Sequence, residues 1–216
     1  SEDENSDKPD LIEYHEGGFS FKTIPGWDVV CAMGIIQIKA PDAHPEYGPA
    51  FLIMAGENDT EMTTEEAFEK FESTSTGATI SKPKKIKVGG FQALQAEMTS
   101  SQGDEEIKAY VITSMLTDSR QFTMMASSPI DRWDEEVEPY FDDVVKSIKF
   151  IDIDESAGCP PGTSGMDEDP EVSLPEIPDE PEQMTGSGDG LLRQWASFAR
   201  ASSEYGSDDW SAMQAT

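Results

Sequence analysis

Between Asp152 and Gly190 the chain carries twelve acidic residues and neither Lys nor Arg, interleaved with Pro, Gly and Ser. Such a segment cannot bury enough apolar area to offset the entropy of ordering it, so an extended, solvated linker is expected there. The 216 residues then divide into an acidic disordered leader (1–16), a folded domain (17–151), the linker (152–190) and a second module (191–216).

A formal net charge of −29, from 44 acidic and 15 basic residues, repels polyanions and argues against nucleic acid as a partner. No stretch approaches the roughly 20 apolar residues that a membrane-spanning helix needs. The chain opens at Ser1 inside an acidic run that reaches Asp10. That opening suits a mature form trimmed of a signal, or a tether anchored by lipid just upstream, and the expected location is extracytoplasmic: secreted, periplasmic or on the cell surface.

Within 17–151, Gly18-Phe19-Ser20-Phe21-Lys22 alternates as a strand does and stops at Pro25-Gly26-Trp27. Ile35 to Lys39 and Phe51 to Ala55 are further strands, separated by a connection holding Pro41, Pro45 and Pro49. Thr63 and Glu66 have the spacing of a capping box, and Ala67, Phe68 and Phe71 fall on one face of the helix it starts, which Gly77 ends. Ile80 to Val88, Phe91 to Met98, Ile107 to Leu116 and Gln121 to Ala126 follow with short connections, as in an antiparallel meander. An amphipathic helix then carries Trp133, Val137, Tyr140, Phe141, Val144, Val145 and Ile148, with Asp131 as its cap and Pro139 as a kink or break. Phe150 and Ile151 form a short closing strand.

This order of elements resembles the PsbP-like superfamily. The resemblance rests on Gly18-Phe19-Ser20-Phe21 before Pro25-Gly26-Trp27, on the Val88-Gly89-Gly90 turn, and on a last helix running into Ser147-Ile148-Lys149-Phe150. It covers about 135 residues and implies an α+β fold, an antiparallel β-sheet flanked by helices in an α/β/α sandwich. It also implies a family whose members mostly bind, scaffold or have no assigned activity, and it carries over no catalytic residue and no cofactor. After the linker, Ala201-Ser202-Ser203 and Trp210-Ser211-Ala212 resemble the opening strand of a discoidin-like (coagulation factor type C) jelly roll, a module that commonly binds glycans or lipid headgroups. Twenty-six residues cannot close the roughly eight strands such a module needs, so a truncated second module with an incomplete β tail is expected.

Candidate chemistry is sparse. A nucleophilic triad needs a histidine base, and His15 and His44 are the two the chain has; Asp42, His44 and Glu46 on a Pro-rich loop read as solvated residues in preference to a metal site. Asp152, Asp154 and Ser156 begin like a calcium loop, but Ala157 and Thr163 stand where Gly and Glu are required, which leaves only weak, diffuse calcium attraction by the linker. Cys31 reads as a core hydrophobe and Cys159 as a linker residue. A bridge would staple linker to domain in an oxidising compartment, but sequence supplies no geometry for one, and the unbridged reading is preferred. Lys82, Lys84, Lys85 and Lys87 are the one basic patch and are expected to line a sheet edge, deterring other strands. No catalytic or metal-binding residue is assigned. The expected function is a non-catalytic binding module for an unknown protein or surface glycan; the alternative is an accessory region of a larger exported enzyme such as a hydrolase.

Overall fold

The computed structural model describes residues 8–163 apart from Met33, Pro45, Glu46 and residues 58–60. An eight-stranded antiparallel sheet dominates. It comprises β3 (Asp28–Ala32), β4 (Ile35–His44), β5 (Gly48–Glu57), β6 (Thr79–Ile80), β7 (Lys84–Val88), β8 (Phe91–Gln102), β9 (Glu105–Thr117) and β10 (Arg120–Pro129). Their spatial order is β3-β4-β5-β10-β9-β8-β6, with β7 also on the outer side of β8. A second, three-stranded sheet joins β1 (Leu11–Tyr14), β2 (Phe19–Lys22) and β11 (Lys149–Phe150) in the order β1-β2-β11. Helix α1 (Thr64–Thr74) lies on one face of the large sheet; a continuous helical run of α2 (Ile130–Arg132), a π-helical turn (Trp133–Val137) and α3 (Glu138–Ser147) lies on the other. The α+β architecture, a mostly antiparallel sheet flanked by few helices, is the one the resemblance implies.

Successive residues of the central strands serve opposite faces. Ile53, Ile112 and Met124 pack with Trp133, Val137, Phe141 and the small sheet's Phe19 and Phe21. Their neighbours Leu52, Val111 and Met125 pack with Phe68 and Phe71 of α1. With both faces covered, nine of the ten residues of β10 are buried and its alternation vanishes, as expected of a strand between two layers. The capping box is present: the Thr63 amide donates to Glu66 Oε2 at 2.8 Å, and the Glu66 amide donates to Thr63 Oγ1 at 3.2 Å. The Thr63 amide, then the Thr63 hydroxyl, which also donates to Glu66 Oε2 at 2.8 Å, favour the charged carboxylate and hold Glu66 below its ordinary pKa.

Several expectations shift. Leu11-Ile12-Glu13-Tyr14, assigned to the leader, pairs with β2 as strand β1, and Tyr14 is buried in the main core. The Pro-rich connection is shorter than expected, because Pro41 sits inside β4 and Pro49 inside β5; the β4–β5 register breaks between Lys39 and His44, where Pro41 has no amide to donate. Ile80 to Val88 is two strands, split around Pro83. Asp131 is not a cap: the run starts at Ile130 with Pro129 before it and no side-chain cap. Pro139 does not break the helix. It lies in the first turn of α3, and the preceding turn widens so that the Glu138 amide donates to the Trp133 carbonyl five residues back.

The largest correction concerns the cysteines. Cys31 in β3 and Cys159 are joined by a disulfide across 128 residues of sequence, with Cα atoms 5.7 Å apart. The start of the acidic segment is therefore tied to the domain. Just before it the Ile151 amide donates to Gly18 O, and within it the Asp154 amide donates to His15 O, both at 3.0 Å. Arg120 completes the seam by donating to the Gly17 carbonyl. Gly18, at φ +62°, must lack a side chain, since a β-carbon there would collide with the Arg120 guanidinium and Ile153. The linker beyond Thr163 and the discoidin-like tail fall outside the described residues.

Candidate functional site

A cleft of about 480 Å³ opens where the β4–β5 hairpin meets the start of the helical run, lined by Asp42, Ala43, His44, Tyr47, Gly48, Glu105, Pro129, Asp131 and Arg132. Four elements converge on it. The end of β4 supplies Asp42 and His44, the hairpin supplies Tyr47 and Gly48, β9 begins at Glu105, and the end of β10 with α2 supplies Pro129, Asp131 and Arg132. Gly48 is required by close approach: at φ +88°, a β-carbon would strike the Ala50 amide nitrogen and the Ser127 carbonyl. That missing side chain lets the hairpin press against the end of β10.

Arg132 holds the cleft together. Its Nε and Nη2 each donate to a different Glu136 oxygen at 2.7 Å, a bidentate pair one helical turn apart, and Nη2 also donates to Asp42 Oδ1 at 3.0 Å. Glu136 foremost, then Asp42, raises the Arg132 pKa. The residue therefore ties β4 to the helical run across 90 positions of sequence. Beside it, the His44 and Tyr47 rings stack at 3.9 Å and 8°. The wall thus combines a flat aromatic pair, the carboxylates of Asp42, Glu105 and Asp131, and one guanidinium already committed to two acids. The described lining contains no Ser or Cys nucleophile beside His44. Hydrogen bonding, ion pairing and ring stacking are what it offers a ligand.

Asp42 is engaged by Arg132, Glu46 lies outside the described residues, and among the described residues no three His, Cys, Asp or Glu side chains are grouped to hold a metal ion. Asp154 instead closes a turn, accepting from the Ser156 amide at 3.0 Å and its hydroxyl at 2.6 Å; the hydroxyl first, then the amide, lowers the Asp154 pKa. His15 lies 3.6 Å from Glu13 on the surface, away from the cleft lining. Sequence reasoning passed over Arg132 and Tyr47. The signal available for Arg132 was its spacing to Glu136, an i,i+4 pair; nothing local pointed to Asp42 as its second partner.

No protein-family description matches the chain, and no curated protein matches it in sequence. Among solved structures, LpqN of Mycobacterium tuberculosis, described as involved in cell envelope biogenesis, aligns with a TM-score of 0.53 at 12% identity, over 67% of this chain and 91% of LpqN. What the two share is the fold. The solution structure of cyanobacterial PsbP (CyanoP) from Synechocystis sp. PCC 6803 aligns at 15% identity with a TM-score of 0.48, over 69% of this chain and 96% of that protein. Among the described residues no helix is long and apolar enough to cross a membrane.

Proposed function

We propose that residues 8–163 form a non-catalytic binding module working outside the cytoplasm, and that the cleft around Arg132 receives its ligand. The observation carrying this reading is the convergence of Asp42, His44, Tyr47, Glu105, Asp131 and Arg132 from separate elements around one recess, with recognition groups and, in the described lining, no nucleophile–base pair. The Cys31–Cys159 bridge supports the compartment, because structural disulfides persist where thiols are oxidised. The fold shared with LpqN, a protein described as involved in cell envelope biogenesis, agrees with an envelope setting.

The test is a ¹⁵N-labelled full chain titrated separately with muropeptides, soluble glycans and a pool of short peptides. A ligand of the cleft shifts the amides of Ala43, His44, Gly48, Glu105 and Asp131, and Tyr47→Ala weakens that response while core amides keep their positions. Saturable binding that perturbs only residues remote from the cleft would refute the assignment. For the compartment, alkylation of free thiols in intact producing cells should leave both cysteines unmodified until a reductant is added; labelling before reduction counts against an oxidising location. Turnover of ester, peptide, phosphate or glycoside substrates, abolished by a single cleft substitution, would overturn the non-catalytic reading.

A further inference from the structure

The lysine cluster occupies the sheet edge opposite the disulfide. Among the described residues strand β7 pairs only with β8, and Lys82, Lys84, Lys85 and Lys87 are all exposed on or beside it. Across the ladder Lys84, Lys85 and Lys87 face Gln95, Leu94 and Gln92, so no carboxylate stands opposite them. Of these four lysines only Lys85 has an ion-pair partner among the described residues, Glu65 at 3.3 Å, and both side chains are more than half exposed. Four of the chain's 15 cations are thus gathered within six residues of a protein of net charge −29, largely uncompensated. Like charges this close repel one another, and their spacing suits a run of carboxylates.

The chain itself supplies such a run. Beyond Thr163 it has nine acids and no Lys or Arg up to Gly190, with Asp167-Glu168-Asp169 and Asp179-Glu180-Pro181-Glu182 as the densest groups. The described chain ends four residues after Cys159, which is bonded to β3 at the far edge of the sheet. Six strand intervals separate β3 from β7, about 29 Å at the usual spacing. Roughly ten extended residues span that distance, so Asp179 to Glu182 lie within reach. Tethering places the acids at an effective concentration on the order of millimolar, enough for individually weak exposed pairs to act together.

We propose that the lysine edge of β7 docks the chain's own acidic segment, residues 167–182, through ion pairs that salt dissolves. The docked segment covers the unpaired backbone of the edge and draws whatever follows residue 190 across the sheet, away from its exit beside β3. The full-length ¹⁵N-labelled chain tests this against the variant Glu176→Gln/Asp179→Asn/Glu180→Gln/Glu182→Gln, at about 10 mM and about 500 mM NaCl, where screening lengths differ roughly sevenfold. The expected result is a difference between the two proteins at the amides of Lys84 to Val88 in low salt, and its loss in high salt. Identical β7 amides in low salt would overturn the proposal. A difference that shrinks on tenfold dilution would overturn it too, by making a second copy the occupant. The reciprocal variant Lys82→Glu/Lys84→Glu/Lys85→Glu/Lys87→Glu should erase the same salt response while amides of β9 and β10 stay in place; a salt response of the acidic segment that survives it counts against docking at β7.

Discussion

On one face of the large sheet Trp133 and Phe141 meet Tyr110 edge to face, each at 4.8 Å, beneath a helical run, and a disulfide fastens the closing segment to the outermost strand. On the other face one eleven-residue helix supplies Phe68 and Phe71 against Leu52, Leu94, Met98 and Met125. The first face is closed by large rings, a second sheet and a covalent tie. The second depends on a short helix whose first turn is held by its cap. The side with more rings and more ties should therefore carry more of the stability, and it also holds the cleft, because α2 and the π-helical turn emerge from β10 on that side.

Cutting the covalent tie tests the comparison most severely. The chain-entropy model gives about 5 kcal/mol as an upper figure for a loop of this length, so Cys31→Ala/Cys159→Ala should move the urea midpoint further than any other change considered. An unchanged midpoint would mean that the tie closes nothing the packing has not already fixed. Trp133→Ala follows, at about 3–5 kcal/mol, because the ring is fully buried and lies under the Lys108 ammonium at 5.0 Å. Phe68→Ala should fall at or below the bottom of that range. Equal losses at Trp133 and Phe68 would break the asymmetry between the faces.

Tyr14 gives the comparison a pH axis. Burial first, then the charge and hydrogen bond of Glu16, pushes its phenol up to about 12. The unfolded chain loses this proton near pH 10 while the folded chain keeps it, so the native state binds more protons and stability falls as pH rises from about 10 to 12. Tyr14→Phe should flatten that alkaline limb in urea melts from pH 8 to 12. A limb of the same slope in the variant would assign it to other groups. On the opposite face, Thr63→Ala removes the cap of α1 and should cost about 1 kcal/mol; amide exchange within Thr64–Thr74 should accelerate while β9 and β10 stay protected.

Sequence revealed what is locally encoded. The capping box, the Phe68–Phe71 face and the β8-β9-β10 meander each rest on signals within a dozen residues. Strand β1 was hidden because Leu11, Ile12 and Tyr14 follow ten residues rich in acids, and composition averaged over the leader outweighed their alternation. The π-helical turn was hidden because Pro139 announces a defect without saying whether the helix breaks or widens. The cleft and the disulfide are contacts at separations of 90 and 128 residues, fixed by strand order and by no local pattern. The lysine edge was legible because an edge strand tolerates a run of charge that a central strand between two apolar layers cannot.

The smallest effects separate the faces at neighbouring positions. Thr113 and Ser114 are consecutive in β9, both 0% exposed, and point to opposite sides of the sheet. Ser114 Oγ donates to the Gln92 carbonyl at 2.7 Å on the side of the helical run, whereas Thr113 Oγ1 has no hydrogen-bond partner among the described residues. A made hydrogen bond contributes about 1 kcal/mol net, and a buried polar group left without one costs a similar amount or more. Ser114→Ala should therefore destabilise by about 1 kcal/mol, while Thr113→Val, which keeps the shape and drops the hydroxyl, should be neutral or stabilising by up to about 1 kcal/mol. Urea midpoints of the two variants decide it. A loss at Thr113→Val equal to that at Ser114→Ala would mean that the hydroxyl under α1 is satisfied by a buried water and contributes as much as the bonded one.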